Sequence, residues 1–132
     1  MAALRNLRYR REANGVVANL LLDTDVFVDH LRGARGLWTG GQQVAYSVIT
    51  RCELFAGRRS EESMVAVLLG PFVEIPVDRS IAEMAGRFRR NLKVRIADAL
   101  IGATALQYDL TLVTRNVRDF RAIPDLRIES PG

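Results

Sequence analysis

The stretch ADALIGATALQYDLTLVTRNVRDF, residues 97–120, is the part of the sequence that decides the fold. Residues 97–108 are rich in alanine and have the apolar spacing of a helix that packs closely on a sheet. The run TLVT at 111–114 is typical of a buried strand, and residues 117–122 form a short predicted helix. A helix that leads directly into a buried strand is typical of the parallel sheets of α/β proteins.

The same alternation of strands and helices continues on both sides of this stretch. Four further strands are predicted at 20–23 (LLLD), 43–47 (QVAYS), 72–77 (FVEIPV) and 126–130 (LRIES). Four further helices are predicted at 26–31, 49–58, 61–69 and 81–92. Because short links join these elements, the sequence predicts the α/β class, as an α/β/α sandwich with a central, mostly parallel sheet.

The composition is that of one globular domain. The chain has 132 residues, 48% hydrophobic and 26% charged, which argues against a largely disordered chain, a collagen-like repeat and a coiled coil. No apolar run approaches the ~20 residues that a transmembrane helix needs. Cys52 is the only cysteine, which excludes a disulfide framework and a cysteine-based zinc site, and we expect it in or near the core. These features predict a cytoplasmic protein.

Positive charge is concentrated at the amino terminus. The formal net charge is +4, and four arginines and one glutamate within residues 1–18 supply +3 of it. The remainder is nearly neutral, so charge alone does not indicate a nucleic-acid-binding domain. A secretory signal is disfavoured because Asn19 interrupts the apolar run 16–22 and Asp23 ends it. We therefore expect a basic, flexible extension at 1–18 and one domain at 19–132.

Four acidic residues are expected near the carboxyl ends of the strands, where parallel sheets form their sites. They are Asp23 after the first strand, Glu53 one turn into the helix after the second, Asp98 at the start of the alanine-rich helix, and Asp119 after the strand 111–114. Each has an ordinary alternative, as a first-turn acid of a helix or as a solvated surface residue. Together, four carboxylates would repel one another without a cation. Oxygen-only ligands favour Mg²⁺ or Mn²⁺, so the pattern indicates a divalent-metal site.

Three segments of the chain resemble one known family. LLDTDVFVD (21–29), SVITRCELFAG (47–57) and the stretch 97–120 are similar, in this order, to the signatures of PIN domains and, within that superfamily, of the VapC toxin ribonucleases. The resemblance covers residues 19–132 and leaves 1–18 without a counterpart. It implies a metal-dependent endoribonuclease that leaves 5′-phosphate and 3′-hydroxyl ends. It also implies a homodimer and a cognate VapB-like antitoxin.

The resemblance assigns roles to single residues. The metal-binding and catalytic acids would be Asp23, Glu53, Asp98 and Asp119, which would hold Mg²⁺ or Mn²⁺ ions. Polar side chains suited to orient these acids, or to join them, are Thr24, Asp25, Ser47, Thr114 and Asn116. Arginines expected to guide the RNA phosphates are Arg51, Arg87, Arg90, Arg95, Arg115 and Arg118. Asn116 stands where some PIN proteins carry another acid, and Asp25 where the family often has asparagine or serine.

Two other functions fit parts of the same pattern. A haloacid-dehalogenase-like phosphatase would use Asp23 as nucleophile, Asp25 as acid or base, and the hydroxyl of Thr114 to bind phosphate. That chemistry needs a lysine after the threonine, and the only lysine, Lys93, precedes it. A response-regulator receiver fails for the same reason. The other alternative is a PIN-like fold that serves only as a non-catalytic binding module.

Overall fold

A computed structural model describes residues 18–31, 43–57 and 61–131 of the chain. Its strands are β1 (Leu20–Leu22), β2 (Val44–Ser47), β3 (Val73–Ile75), β4 (Thr111–Val113) and β5 (Ile128–Glu129). Its helices are α1 (Thr24–Leu31), α2 (Val48–Ala56), α3 (Glu62–Leu69), α4 (Arg79–Asn91), α5 (Ile96–Gln107) and α6 (Val117–Phe120). Every predicted strand and helix is present, with ends that lie within two residues of those expected.

The five strands form one sheet in the order β3-β2-β1-β4-β5, and all four pairings are parallel. From β1 the chain builds outward to β2 and β3, then crosses back and places β4 and β5 on the other side of β1. The order therefore reverses between β1 and β4. In open parallel sheets, ligands bind beyond the carboxyl ends of the strands at such a reversal.

Alternating side chains of the strands enter two separate cores. Leu21, Ala45 and Leu112 pack against apolar side chains of α4 and α5 on one face of the sheet. Leu20 and Leu22 pack on the other face, against side chains of α1, α2 and α3. This alternation follows from the two-residue period of a strand. It confirms the predicted arrangement of helices on both faces of a parallel sheet.

Two helices begin with side-chain caps that fix their first turns. The Oγ atom of Ser47 accepts a hydrogen bond from the backbone N–H of Ile49 at 3.1 Å, where β2 passes directly into α2. Oδ1 of Asp78 likewise accepts from the backbone N–H of Ile81 at 2.9 Å, at the start of α4. Such caps satisfy backbone donors that have no partner within the helix.

Cys52 corrects one expectation, because its side chain is exposed rather than in or near the core. Thr50 and Leu54, two residues before and after it on α2, are both buried. Residues four apart share one face of a helix, so position 52 lies on the opposite face.

The amino-terminal boundary lies at the edge of the described part of the chain. Ala18 is buried in the core that contains α4 and α5, whereas residues 1–17 of the expected extension lie outside the described residues. Among the residues that the structure describes, no helix is long and apolar enough to cross a membrane.

Candidate active site

The carboxyl ends of β1 and β4 meet where the strand order reverses. Leu22 pairs with Val113, the last residues of the two strands, and the backbone N–H of Asp23 donates to the carbonyl oxygen of Val113 at 2.9 Å. Asp23 and Thr114 follow these strands directly, so both side chains emerge at the same edge of the sheet.

Asp23 is a buried acid held by two hydrogen bonds. Its Oδ1 atom accepts from the backbone N–H of Thr24 at 2.8 Å, and its Oδ2 atom accepts from the hydroxyl of Thr114 at 2.8 Å. Burial raises the pKa of Asp23 to about 7, and the negative charges of Asp25 and Asp98 add to the rise, while the two hydrogen bonds oppose it. In the absence of a cation, this carboxylate is therefore costly to ionise.

Glu53 is connected to the start of α1 by hydroxyl groups. The hydroxyl of Thr24 donates to Oε1 of Glu53 at 2.6 Å and lies 3.0 Å from the hydroxyl oxygen of Thr50. The hydroxyl of Thr24 has a single hydrogen, which it donates to Glu53. The hydroxyl of Thr50 therefore donates to the oxygen of Thr24. Thr50 is fully buried, so this chain of hydroxyls fixes α1 against α2 beneath the Glu53 carboxylate. The Ser47 hydroxyl caps α2 instead.

Asp98 lies in the first turn of α5, with 6% of its surface exposed. Its Oδ2 atom accepts a hydrogen bond from Nε of Arg95 at 3.2 Å. Burial raises the pKa of Asp98, Arg95 lowers it, and the charges of Asp119 and Glu53 raise it further. Asp119 itself is exposed on α6. The other three predicted acids, Asp23, Glu53 and Asp119, therefore lie within electrostatic reach of Asp98.

Asp25 lies in the first turn of α1, beside the segment that follows β4. Its Oδ2 atom accepts from the backbone N–H of Arg115 at 3.1 Å. Its Oδ1 atom is buried without a hydrogen-bond partner among the described residues. Burial raises the pKa of Asp25, while the contacts with Arg115 and Thr114 lower it. Asn116 is exposed, and its backbone N–H donates to the Thr114 hydroxyl at 3.0 Å.

Three of the six arginines predicted to guide RNA form ion pairs within the domain. Arg51 pairs with Glu74 and donates to the hydroxyl of Tyr46. Arg95 pairs with Asp98, and Arg115 pairs with Asp29. The remaining three are exposed on α4 and α6, at Arg87, Arg90 and Arg118.

The described residues contain no group of three or more His, Cys, Asp or Glu side chains arranged to hold a metal ion. Two of the acids already have other hydrogen-bond partners. Glu53 accepts the Thr24 hydroxyl, and Asp98 accepts Nε of Arg95. The predicted acids are thus neighbours at one edge of the sheet, but they do not form a preformed cage.

Two polar residues that join the elements of this region were not predicted from the sequence. Asp29 on α1 is buried and pairs with Arg115, and Thr50 on α2 carries the hydroxyl chain to Glu53. Helical spacing contained a signal for Asp29, since it follows Asp25 by four residues and shares its helix face. Thr50 likewise precedes Glu53 by three residues. Their partners lie far away in sequence, so only the fold identifies the contacts.

Comparison with known proteins identifies the family. The PIN domain family matches residues 20–126. The chain belongs to the PIN-domain family. A curated relative of this PIN domain, Ribonuclease VapC19 of Mycobacterium tuberculosis, is 37% identical over 120 residues, which cover 81% of this chain and 96% of the relative. Membership of this family leaves the phosphatase and receiver alternatives without support.

Solved structures of other proteins agree with this fold. A toxin-antitoxin complex from Klebsiella pneumoniae matches with a TM-score of 0.70 at 31% identity, covering 86% of this chain and 98% of that chain. VapBC-5 from Mycobacterium tuberculosis, a member of the VapBC family of toxin-antitoxin systems, matches with a TM-score of 0.58 at 30% identity, covering 86% and 97%. The matched fold therefore spans nearly the full length of both of those chains.

Proposed function

We propose that this PIN domain is a divalent-metal-dependent endoribonuclease and the toxin of a VapBC-type toxin-antitoxin module. The observation that carries the proposal is the placement of the buried acid Asp23 at the reversal of strand order, with a second buried acid, Asp98, close to it. Asp98 raises the pKa of Asp23, and Asp119 and Glu53 raise the pKa of Asp98. Further support comes from the relatives, since two curated relatives at 37% identity are named as ribonucleases.

The chemistry of these side chains fits a hard divalent cation. All candidate ligands are carboxylates, and Mg²⁺ and Mn²⁺ prefer oxygen. A nearby cation would lower the raised pKa of Asp23 and favour its ionised form. The buried Oδ1 atom of Asp25, which has no hydrogen-bond partner among the described residues, is a further oxygen suited to a cation. The proposed ligands are Asp23, Glu53, Asp98 and Asp119.

Binding of a cation would require two of the proposed ligands to give up their present hydrogen-bond partners. Glu53 would give up the Thr24 hydroxyl, and Asp98 would give up Arg95. Both groups are suited to such exchange, because Glu53 is only partly buried and the Arg95 side chain is 75% exposed. The cation would replace Arg95 in balancing the charge of the buried Asp98 carboxylate.

The residues of the site would divide the work of phosphodiester hydrolysis. The bound cation would supply positive charge that favours deprotonation of the attacking water and stabilises the leaving oxygen. Thr114 would keep the Asp23 carboxylate in position through its 2.8 Å hydrogen bond. Arg95, once released from Asp98, and the exposed Arg118 would offer positive charge to the phosphates of the RNA strand.

A cleavage assay on purified protein tests the proposal. We expect internal cuts in a structured RNA with Mg²⁺ or Mn²⁺, and no cuts after chelation with EDTA. Asp98→Asn keeps the shape of the side chain and removes its charge, so cleavage should fall by roughly 10²-fold or more with an unchanged circular dichroism spectrum. Wild-type protein that binds RNA with either metal but leaves it intact would contradict the proposal and favour the non-catalytic alternative.

Asp109→Asn provides the matched control for Asp98→Asn. Asp109 lies ahead of β4, at the opposite edge of the sheet from the candidate site, and is also an acid paired with an arginine, Arg127. Its backbone is left-handed, with φ of 56°, a conformation that asparagine adopts readily. Cleavage by Asp109→Asn should therefore equal that of the wild type. An equal loss in both variants would contradict the assignment of Asp98.

We further propose that the protein forms a homodimer, is inhibited by a VapB-like antitoxin and acts in the cytoplasm. The antitoxin is supported by the similarity to the Klebsiella pneumoniae and VapBC-5 structures, which come from toxin-antitoxin systems. Exposed apolar side chains add support, since Met64 and Val67 on α3 are 54% and 77% exposed, as expected of a surface that a partner covers. Light scattering of the purified protein tests the dimer.

A further inference from the structure

Asp29 and Arg115 form an ion pair that joins α1 to the segment after β4. The Nη1 atom of Arg115 donates to both carboxylate oxygens of Asp29, each at 2.6 Å. Asp29 is buried, whereas about half of the Arg115 side chain is exposed. The helix dipole disfavours an acid towards the carboxyl end of a helix, and burial disfavours its charge. The conformation of this acid therefore depends on Arg115.

The backbone of this segment holds two carboxylates of the candidate site. The backbone N–H of Arg115 donates to Oδ2 of Asp25 at 3.1 Å. The preceding hydroxyl, Oγ1 of Thr114, lies 2.8 Å from Oδ2 of Asp23 and 3.4 Å from Oδ2 of Asp25. Its single hydrogen goes to the nearer oxygen, that of Asp23. The orientation of both carboxylates therefore depends on where residues 114–116 lie.

We propose that Asp29 is a positioning residue for the reaction of this site. Through Arg115 it fixes residues 114–116 against α1, and it thereby orients Asp23 and Asp25. The proposal rests on the ribonuclease function proposed above. It also gives Arg115 a role within the domain in place of a contact with RNA, because Nη1 of its guanidinium group is already bound to Asp29.

Asp29→Asn tests this role with two readouts. The amide cannot balance the charge of Arg115, so residues 114–116 should become less firmly held. We expect kcat for RNA cleavage to fall by about tenfold, the scale of residues that orient ligands, while KM stays within about twofold of the wild type. In the metal-free protein, hydrogen exchange of the Arg115 amide should become faster, because its hydrogen bond to Asp25 opens more often.

Asp109→Asn is the matched control, because it breaks an ion pair at the other end of the same strand. Arg127 donates to Oδ1 of Asp109 at 2.8 Å, and its side chain is 48% exposed against 51% for Arg115. If the Asp29 pair only stabilised the fold, Asp29→Asn and Asp109→Asn would change kcat alike. We expect Asp109→Asn to leave kcat and the exchange of the Arg115 amide unchanged. Equal effects in the two variants would overturn the proposal.

A double-mutant cycle with Arg115→Gln separates positioning from a direct contact with RNA. Two residues that act through one ion pair should not be additive, so Asp29→Asn with Arg115→Gln should lower kcat about as much as either change alone. A direct RNA contact would instead raise KM in Arg115→Gln and lower KM in Asp29→Asn, where the arginine is freed, and this result would overturn the proposal. Wild-type protein without cleavage would contradict only the proposed function, since amide exchange still tests the positioning.

Discussion

At the scale of single residues, the site is an arrangement of acids whose ionisation the fold opposes. Burial raises the pKa of Asp23, Asp25 and Asp98 alike. Arg95 donates a hydrogen bond from its side chain to Asp98, and Arg115 donates one from its backbone N–H to Asp25. Asp23 has only hydrogen bonds from neutral groups. The stability of the protein should therefore respond to pH most directly through Asp23.

We predict that the metal-free protein loses stability as the pH rises. The pKa of Asp23 is about 7 in the folded state, against about 3.9 for an unfolded aspartate, so folding favours the protonated form. The stabilisation from this group is complete below about pH 4 and is lost as the pH rises through 7, a change of up to roughly 4 kcal/mol. The pKa values of Asp25 and Asp98 are also raised in the folded state, so their ionisation lowers the stability in the same direction.

Urea unfolding between pH 4 and 8 measures this effect. The decline should be steeper for the wild type than for Asp23→Asn, which cannot ionise at this position. Millimolar Mg²⁺ should reduce the decline in the wild type, because a cation that binds the ionised site stabilises the native state. Identical pH slopes for the two proteins would show that Asp23 ionises normally.

A second prediction at this scale concerns Arg95. Replacing it should strengthen metal binding, whereas replacing a metal ligand should weaken it. Its guanidinium group competes with a cation for Asp98, and its charge is also close to those of Asp119 and Glu53. Arg95→Gln should therefore tighten Mn²⁺ binding by about two- to fivefold, the range expected for loss of an exposed ion pair. Titration calorimetry measures the affinity, with Arg90→Gln on α4 as a control. Unchanged or weaker binding in Arg95→Gln would exclude this competition.

At the scale of helices and strands, α5 packs closely against the segment that follows α6. A methyl group at Gly102 would lie 2.6 Å from Cδ1 of Ile123, a buried side chain, whereas one at Gly86 on α4 would meet nothing within 4 Å. Gly86→Ala should therefore stabilise the protein by up to about 1 kcal/mol through helix propensity. Gly102→Ala should destabilise it by about 1 kcal/mol, because overpacking outweighs that gain. Urea unfolding distinguishes the two, and equal stabilisation would contradict the close contact.

The elements themselves were predictable from the sequence because their signals are local. Apolar runs bounded by charge identified β1 and β4, and helical spacing identified α4 and α5. The sequence also led to the carboxyl edge of the sheet, because Asp23 directly follows a buried strand. The exposed position of Cys52 was not anticipated, since it depends on which face of α2 packs against the sheet.

The partners of the arginines were not predictable, because they depend on contacts across the chain. Arg115 and Asp29 are 86 residues apart and meet only after β4 has paired with β1. Arg51 on α2 meets Glu74 on β3 because β3 pairs with β2, the strand that leads into α2. An arginine near an acidic centre is therefore a weak indication of RNA contact, because in the folded domain it can pair with a carboxylate of the same chain.

At the scale of the whole molecule, the order in which the chain builds the sheet has a consequence for how the protein is made. The proposed acids run from Asp23 to Asp119, and the central strand β1 obtains its neighbour β4 only when residues 111–113 have been added. A chain still under synthesis on the ribosome therefore carries its first acids without the last one and without Thr114. If the protein degrades RNA in its own cell, it becomes dangerous to that cell only at the end of its translation.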